Sequence, residues 1–201
     1  MRDKKKIKEI LEHDGVIAFV TDTVWGIGCL PSSKKAVERI YEIKKRDKIK
    51  PLILMSDDIQ HLRKYVKPLS LASREIIDKY FPGAVTLVVN KSDNTPNYIT
   101  SKLETVGIRV PANKTFANIC KLVDGHTLAT TSANISSEPP ALSYDEAIKY
   151  MGDKVDYIVE DYGEMAQGHA STVVGVSPKG IQIFRQGDIV INVSQYGKAR
   201  F

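Results

Sequence analysis

Short apolar runs that fit β-strands alternate with segments of helical spacing along the whole chain, and this alternation constrains the fold most strongly. Strands are predicted at residues 16–20, 51–55, 85–89, 106–110, 127–130, 157–159, 172–176 and 181–184. Helices are predicted at residues 4–12, behind the N-cap Ser33 up to a basic end at Lys44, Lys45 and Arg46, and at 59–65, 71–81, 115–123 and 144–150. Since no period of roughly 20 to 50 residues repeats, the sequence predicts an α/β domain with one mixed, twisted, open sheet flanked by helices.

Length and composition favour a single domain. The chain has 201 residues, 42% of them hydrophobic, which is enough for one buried core. We expect this core at about residues 4–190, a peripheral tail at 191–201, and no appended second domain. The longest apolar runs, VIAFV and VTLVV, are far shorter than the roughly 20 residues that cross a bilayer, and no apolar run follows the basic start as in a signal peptide. A cytoplasmic location is therefore expected.

Cysteine and histidine usage gives no sign of a structural metal site. Cys29 and Cys120 have neither metal-ligand spacing nor the pattern of a disulfide framework. The histidines are His13, His61, His126 and His169. They are too scattered in sequence to predict a metal cage. Any metal ion is expected to arrive with a nucleotide.

The charge of the chain indicates anionic partners. A net charge of +5 and a pI near 9.0 fit nucleotides, nucleic acid or an anionic surface, and do not choose among them. Lysine and arginine outnumber acidic residues by eight to three between Lys34 and Lys50. A solvated helix face is the simpler interpretation of such a run. The alternative is a phosphate site, because Lys44, Arg46 and Lys50 could converge on one anion from an irregular segment.

Two familiar nucleotide motifs and one catalytic motif are missing. Gly26 and Gly28 have no third glycine at the offset of a dinucleotide fingerprint, and no P-loop pattern is present. His169 lies near Ser171, but no nucleophile elbow accompanies the pair, so a catalytic triad is not predicted. Phosphate binding would have to come from cationic side chains.

Hydroxyl-rich loops recur beside predicted strands in distant parts of the chain. TDT follows VIAFV, TTSAN follows HTLA, and AST precedes VVGV. Any one of these could simply cap a helix or form a turn. Because α/β folds build their sites from polar loops at strand ends, the three together predict the walls of one site.

Seven segments together resemble one known family. They are TDTVWGIGC, KKRDKIKPL, FPGAVT, TVGIRVP, TTSANISS, STVV and FRQG, in this order over almost the whole chain. This series resembles the YrdC/TsaC-like threonylcarbamoyl-AMP synthases of the short, single-domain type. The resemblance implies a twisted, open α/β sheet around a large basic cavity, similar to that of dihydroxybutanone phosphate synthase.

The resemblance also implies a reaction and its partners. L-threonine, bicarbonate or CO2, and ATP would give threonylcarbamoyl-AMP and pyrophosphate, with Mg²⁺ entering on the ATP phosphates. The product would serve a partner enzyme that modifies the adenosine next to the anticodon of certain tRNAs, and tRNA itself is a further possible partner. Since none of the implied residues is an obvious nucleophile, catalysis is expected to depend on positioning and electrostatics.

Motif positions carry the implied site residues over to this chain. The implied ATP-binding residues are Lys44, Arg46, Lys50, Thr105, Ser132, Asn134, Pro140 and Arg185. The implied threonine-binding residues are Thr23, Met55, Arg109, Thr130 and Ser171. Positioning and electrostatic roles in catalysis are implied for Lys44, Arg46, Lys50, Ser132 and Asn134. No protein side chain is implied as a metal ligand.

The chain departs from the family pattern at five positions. Asp47 and Ala84 stand where proline is usual, Trp25 where tyrosine is usual, Ser137 where glycine is usual, and Met55 where many members have histidine. Met55 replaces a polar contact to threonine with an apolar wall for its methyl group.

Two other functions compete with the enzyme. An RNA-binding module could use the same basic cavity, although aromatic residues are only 7% of the chain and lie mostly within apolar patterns. A catalytically silent scaffold is the third possibility, which the retained K-x-R and S-x-N patterns disfavour.

Residues 91–102 and 136–143 are the predicted mobile loops of the site.

Overall fold

The structure is a computed structural model that describes residues 1–45 and 47–196. The helices are α1 (Lys4–Glu12), α2 (Lys34–Ile43), α3 (Ile59–Leu62), α4 (Leu71–Tyr80), α5 (Asn97–Thr100), α6 (Lys114–Cys120) and α7 (Tyr144–Met151), with 3-10 turns at Arg63–Tyr65 and Val193–Gln195. The strands are β1 (Ile17–Phe19), β2 (Gly26–Cys29), β3 (Ile53–Ser56), β4 (Val85–Asn90), β5 (Thr105–Arg109), β6 (Thr127–Ser132), β7 (Tyr157–Ile158), β8 (Thr172–Ser177) and β9 (Gly180–Arg185).

In the described chain all nine strands join one mixed sheet, in the order β7, β1, β2, β6, β3, β5, β4, β8, β9. The pairs β1 with β7, β3 with β5, and β4 with β8 are parallel, and the other neighbours are antiparallel. The predicted α/β class and the mixed, open sheet flanked by helices are confirmed.

Local sequence signals explain where several helices begin. The Ser33 hydroxyl accepts a hydrogen bond from the Ala36 backbone N–H at 3.0 Å, so the predicted N-cap of α2 is confirmed. Ser70, Asn113 and Ser143 cap α4, α6 and α7 in the same way.

Two elements lie inside segments that the sequence predicted as loops. Strand β2 falls within residues 21–31, and α5 falls within residues 91–102. In β2, a Cβ at Gly26 would stand 2.9 Å from the ring of Phe19 in β1. The glycine is therefore needed for close packing against the neighbouring ring, which local strand propensity does not reveal.

Two apolar clusters pack on the two faces of the sheet, and β1 divides its residues between them. Ala18 lies in the larger cluster, whereas Phe19 lies in the smaller one, as the two-residue period of a strand requires. Helices α2, α4 and α7 cover the larger cluster, and α1 and α6 cover the smaller one. The smaller cluster leaves part of its face of the sheet open, and this open part forms the floor of the site.

The C-terminal segment packs more closely than the predicted peripheral tail. Ile191 and Tyr196 are buried against the larger apolar cluster. Residues 192–195 between them are exposed, so two side chains anchor the described part of the tail, and residues 197–201 lie outside the described residues. Residues 91–102 are also anchored, because Ile99 and Thr100 are fully buried.

None of the helices among the described residues is both long and apolar enough to span a membrane.

Candidate active site

A cavity of about 840 Å³ lies over the open part of the sheet. This volume falls within the range of roughly 300–1,000 Å³ typical of small-molecule sites. Strand β5 illustrates how the sheet builds its floor: Val106 and Ile108 point into the larger apolar cluster, while Thr105, Gly107 and Arg109 line the cavity. Every second residue of the strand thus faces the site. A Cβ at Gly107 would stand 2.8 Å from the side chain of Ile53 on the neighbouring strand, so only glycine fits at this position of the cavity floor without a shift.

Arg109 is a buried cation of the cavity wall that several protein groups hold in place. Its Nη2 donates to Asp22 Oδ1 at 2.5 Å, its Nη1 to Thr23 Oγ1 at 2.9 Å, and its Nε to the Gly83 carbonyl at 2.9 Å. Burial lowers the pKa of the Arg109 guanidinium, which the charge of Asp22 opposes. Since a guanidinium has five N–H donors, these three bonds fix its plane and leave donor capacity for a ligand.

The hydroxyls beside Arg109 are organised by their own turn and by the strands. Thr21 Oγ1 accepts from the Thr23 backbone N–H at 3.2 Å and donates to the Val24 carbonyl at 2.6 Å, which fixes the loop before β2. Met55 pairs with Arg109 across the parallel strands β3 and β5. The threonine-binding set of the sequence prediction consists of Thr23, Met55, Arg109, Thr130 and Ser171, all of them cavity-lining and at most 4% exposed.

Ser171 joins the two predicted halves of the site. Its hydroxyl lies 2.8 Å from Thr86 Oγ1 and accepts from Arg185 Nη2 at 3.1 Å. Arg185 Nε also donates to the Ser171 carbonyl at 3.0 Å. A residue assigned to threonine and a residue assigned to ATP are therefore in direct contact.

The residues assigned to ATP form the more open end. Lys50, Thr105, Ser132, Asn134, Pro140 and Arg185 all line the cavity. Lys50 is exposed, and its carbonyl accepts from Tyr41 Oη at 2.9 Å, which anchors the backbone behind it. The loop after β6 is held by the Ser132 hydroxyl, which donates to Asn134 Oδ1 at 2.6 Å.

Lys44 does not lie where direct phosphate contact requires. It is fully buried and is not among the cavity-lining residues. Its Nζ donates to the carbonyls of Ser132 and Asn134 at 2.6 and 2.8 Å and to Asn134 Oδ1 at 2.7 Å. The ammonium therefore holds the 132–134 loop from beneath, because three oxygens compensate for the loss of water around the charge. Arg46, the third predicted cation, lies outside the described residues.

Several residues that line or support the cavity were not predicted from the sequence. Asp22 and Thr86 support Arg109 and Ser171, and both lie within motif segments but lack a distinguishing pattern. The mouth of the cavity is apolar: Ile49, Leu103 and Phe184 line it and are 74%, 48% and 57% exposed. Exposed apolar side chains at a concave mouth are visible only after folding.

The histidines are not all scattered in space. The ring centroids of His61 and His126 are 4.2 Å apart, and both rings face Asp57. These two histidines are therefore neighbours in space although they are scattered in the sequence. His169 contacts Asp188 at 3.0 Å on the surface and forms no triad with Ser171 in the described chain.

A model of the Sua5/YciO/YrdC family, which is described as telomere recombination, matches residues 9–187. The chain belongs to this family. The family resemblance seen in the sequence is thus confirmed, since the match includes every segment that carried it.

Relatives in the family have a consistent name. A threonylcarbamoyl-AMP synthase of Nitrosococcus oceani is 35% identical over 150 residues, which cover 75% of this chain and 80% of the relative. A putative threonylcarbamoyl-AMP synthase of Methanocaldococcus jannaschii is 32% identical over 193 residues, covering 94% and 89% of the two chains.

Solved structures of family members share the fold. P. abyssi Sua5 in complex with L-threonine superposes with a TM-score of 0.85 at 29% identity and covers 92% of this chain. The chain spans only 55% of that Sua5 chain. E. coli YciO has a TM-score of 0.82 at 23% identity, covering 92% of this chain and 91% of YciO, and this likeness shows the fold.

Proposed function

We propose that this chain is a threonylcarbamoyl-AMP synthase, a nucleotidyltransferase that combines L-threonine, bicarbonate or CO2, and ATP. One observation carries the proposal: a single cavity has a buried, hydroxyl-rich end around Arg109 and an open end with Lys50 and Arg185. The synthase relatives and the threonine complex of Sua5 support it over the RNA-binding alternative.

The buried end suits a small amino acid. The N–H groups of Arg109 that remain for a ligand can bind the threonine carboxylate in a planar, charge-assisted contact. Thr23, Thr130 and Ser171 offer hydroxyls to the polar groups of the substrate, and Met55 offers an apolar surface to its methyl group. Because these groups are held by the fold, little ordering is required when threonine binds.

The open end suits the nucleotide. Lys50 and Arg185 supply positive charge to the phosphates, and the 132–134 loop supplies hydroxyl and amide groups. The exposed Phe184 and Leu103 offer apolar surface at the mouth for the base. Lys44 acts through the loop that it holds.

The chemistry requires alignment of two anions. The threonine amine adds to CO2 and loses a proton to give a carbamate. A carbamate oxygen then attacks the α-phosphorus of ATP, and the bond to the pyrophosphate oxygen breaks. Arg109 fixes the carbamate through its threonine carboxylate, while Lys50 and Arg185 offset the charge that repels the two anions. No covalent enzyme intermediate is needed, and trapping one would contradict this mechanism.

Mg²⁺ fits the site only together with the nucleotide. The described lining offers hydroxyl and amide oxygens but no carboxylate, whereas protein-held Mg²⁺ usually has one or two carboxylate ligands. When carried by ATP, the ion would neutralise phosphate charge, and the Ser132 hydroxyl and the Asn134 amide would offer polar groups at this end of the cavity.

The proposed product has a defined use. A mixed carbamic–phosphoric anhydride is labile in water, so it would pass to an enzyme that transfers the threonylcarbamoyl group to tRNA adenosine next to the anticodon. A cytoplasmic location and contact with tRNA belong to the same proposal.

A pyrophosphate assay tests the function. The protein is incubated with ATP, Mg²⁺ and bicarbonate, with and without L-threonine, and threonylcarbamoyl-AMP is identified by mass. We expect pyrophosphate release that depends on threonine and on bicarbonate. Tight tRNA binding without such release would instead support the RNA-binding alternative.

A further inference from the structure

A cluster of three metal-binding side chains lies outside the cavity lining, at the end of β3. Asp57 follows β3 directly, and His61 lies four residues later on α3. His126 precedes β6, whose Thr127 pairs with Ser56 of β3. The antiparallel register therefore brings His126 beside Asp57, although the two residues are 69 positions apart.

The three side chains converge on one point. His126 Nδ1 lies 3.2 and 3.3 Å from the two carboxylate oxygens of Asp57, and His61 Nε2 lies 3.9 Å from Asp57 Oδ1. One ligand atom from each residue lies within 4.8 Å of the others. In a tetrahedral zinc site, bonds of about 2.0–2.1 Å separate neighbouring ligands by about 3.3 Å. Small side-chain rotations of the two histidines would bring the atoms to that spacing.

The backbone around the cluster is fixed. Ser56 Oγ donates to the His126 carbonyl at 2.6 Å and lies 3.3 Å from Asp57 Oδ1, so one hydroxyl positions both sides. His126 has a φ of +48°, a left-handed conformation in which histidine, asparagine and aspartate are enriched. Thr127 Oγ1 donates to the Gly125 carbonyl at 2.8 Å and stabilises the same turn.

We propose that Asp57, His61 and His126 form a binding site for Zn²⁺, with water completing the coordination. Two imidazole nitrogens and one carboxylate oxygen are a ligand set for a borderline divalent transition metal, whereas Mg²⁺ prefers oxygen ligands alone. Both histidine side chains are about one third exposed, at 35% and 34%, which leaves an entry path for the ion. The Asp57 side chain is only 8% exposed and anchors the site to β3.

The simpler interpretation is a hydrogen-bonded histidine–aspartate pair with a second histidine packed on it. It accounts for the contact of His126 with Asp57 and treats the approach of His61 Nε2 to the same carboxylate, at 3.9 Å, as a separate weak ion pair, whereas one shared ion accounts for all three side chains together. Lys64 Nζ lies 2.8 Å from the position of a Cβ on Gly125 and opposes a cation, but this exposed lysine can turn away. A bound ion would tie β3 to β6, the strands that carry Met55 and Thr130 to the cavity.

Zinc binding by the full-length protein tests the proposal. After treatment with a chelator, the protein is titrated with ZnCl2 in the presence of millimolar MgCl2, and bound zinc is measured by calorimetry and by elemental analysis. We expect one Zn²⁺ per chain, and His61→Ala and His126→Asn should each weaken binding at least about tenfold. Asparagine retains the left-handed conformation, so His126→Asn should keep the fold.

His169→Ala is the matched control, because His169 also lies beside a carboxylate, that of Asp188, but has no second histidine near it among the described residues. This variant should bind zinc as the parent does. Cys29 and Cys120 are both fully buried, and the Cys120 thiol lies near Asp57. Absence of zinc binding by the parent, or equal binding by folded His61→Ala, would overturn the proposal.

Discussion

The two ends of the cavity differ in how the fold holds their side chains. At the proposed threonine end, Arg109 is 3% exposed and makes three hydrogen bonds with protein groups. At the proposed ATP end, Lys50 and Arg185 are exposed, and the mouth carries exposed apolar side chains. The difference teaches that stability and substrate binding are joined at the buried cation Arg109 and separable at the exposed cation Lys50.

Preorganisation explains why the small substrate would take the buried end. Threonine offers few contacts, so a site for it must have its polar groups in place before binding. ATP offers a triphosphate and a base, so a more open end can order around it. Substitutions at the two ends should therefore have different signatures in unfolding and in kinetics.

Arg109→Met should have the largest effect on stability. It leaves the buried carboxylate of Asp22 without its cation, and breaking a buried pair costs roughly 3–5 kcal/mol. Urea denaturation measures the loss. The double variant Asp22→Asn/Arg109→Met should recover part of the lost stability. A loss below about 1 kcal/mol for the single variant would show that the ion pair contributes no more than a solvent-exposed pair does.

Lys44→Met should rank next, because it removes the donor shared by three loop oxygens. Buried acceptors left without partners should lower the free energy of unfolding by about 2–3 kcal/mol and raise the KM for ATP through the displaced 132–134 loop. Lys45→Gln, at the exposed neighbouring position, is the control and should change neither. An ATP effect without loss of stability would instead indicate direct phosphate contact by Lys44.

Lys50→Gln should separate binding from stability. The exposed side chain contributes little to folding, whereas loss of one charged contact to a phosphate should raise the KM for ATP about tenfold. The KM for threonine should not change. Lys48→Gln, an exposed substitution away from the cavity lining, should leave both values as in the parent. If both variants raised the KM for ATP equally, Lys50 would act only through the overall positive charge of the segment and not through a direct phosphate contact.

Thr23→Val should have the smallest effect. It keeps the shape of the side chain but removes the acceptor for Arg109 Nη1. The KM for threonine should therefore rise about fivefold, which corresponds to a loss of about 1 kcal/mol in the free energy of threonine binding. Thr95→Val is the matched control, because Thr95 is equally buried and donates to the Tyr65 carbonyl at 2.5 Å away from the cavity. If both variants raised the KM for threonine equally, the change would result from a general loss of stability and not from a contact at the site.

Much of the architecture could be predicted because strands and helices have different periods. The short apolar run at residues 106–110 predicted β5, and Ser33 predicted the start of α2. Strand β2 was not predicted, because glycines lower the local strand propensity. The reason for these glycines is their close packing against the ring of Phe19, which only the folded structure shows.

The site was predictable in its membership more than in its geometry. Motif order brought Arg109, Ser171 and Lys50 to one cavity, but it could not show that Lys44 turns into the fold. A fully buried lysine is rare, and here oxygens supplied 88 and 90 residues away in the chain accept hydrogen bonds from its ammonium. The pairing of His61 with His126 likewise depends on strand register rather than on spacing in the sequence.

Calorimetric titration of L-threonine without nucleotide tests most directly whether one end of the cavity is a preformed threonine site. The parent protein should bind threonine in the absence of ATP, Lys50→Gln should bind it equally well, and Arg109→Lys should lose at least about tenfold in affinity because the guanidinium fork is gone. Threonine binding that requires ATP, or that survives folded Arg109→Lys unchanged, would contradict the division of the cavity into a preformed threonine end and an open nucleotide end.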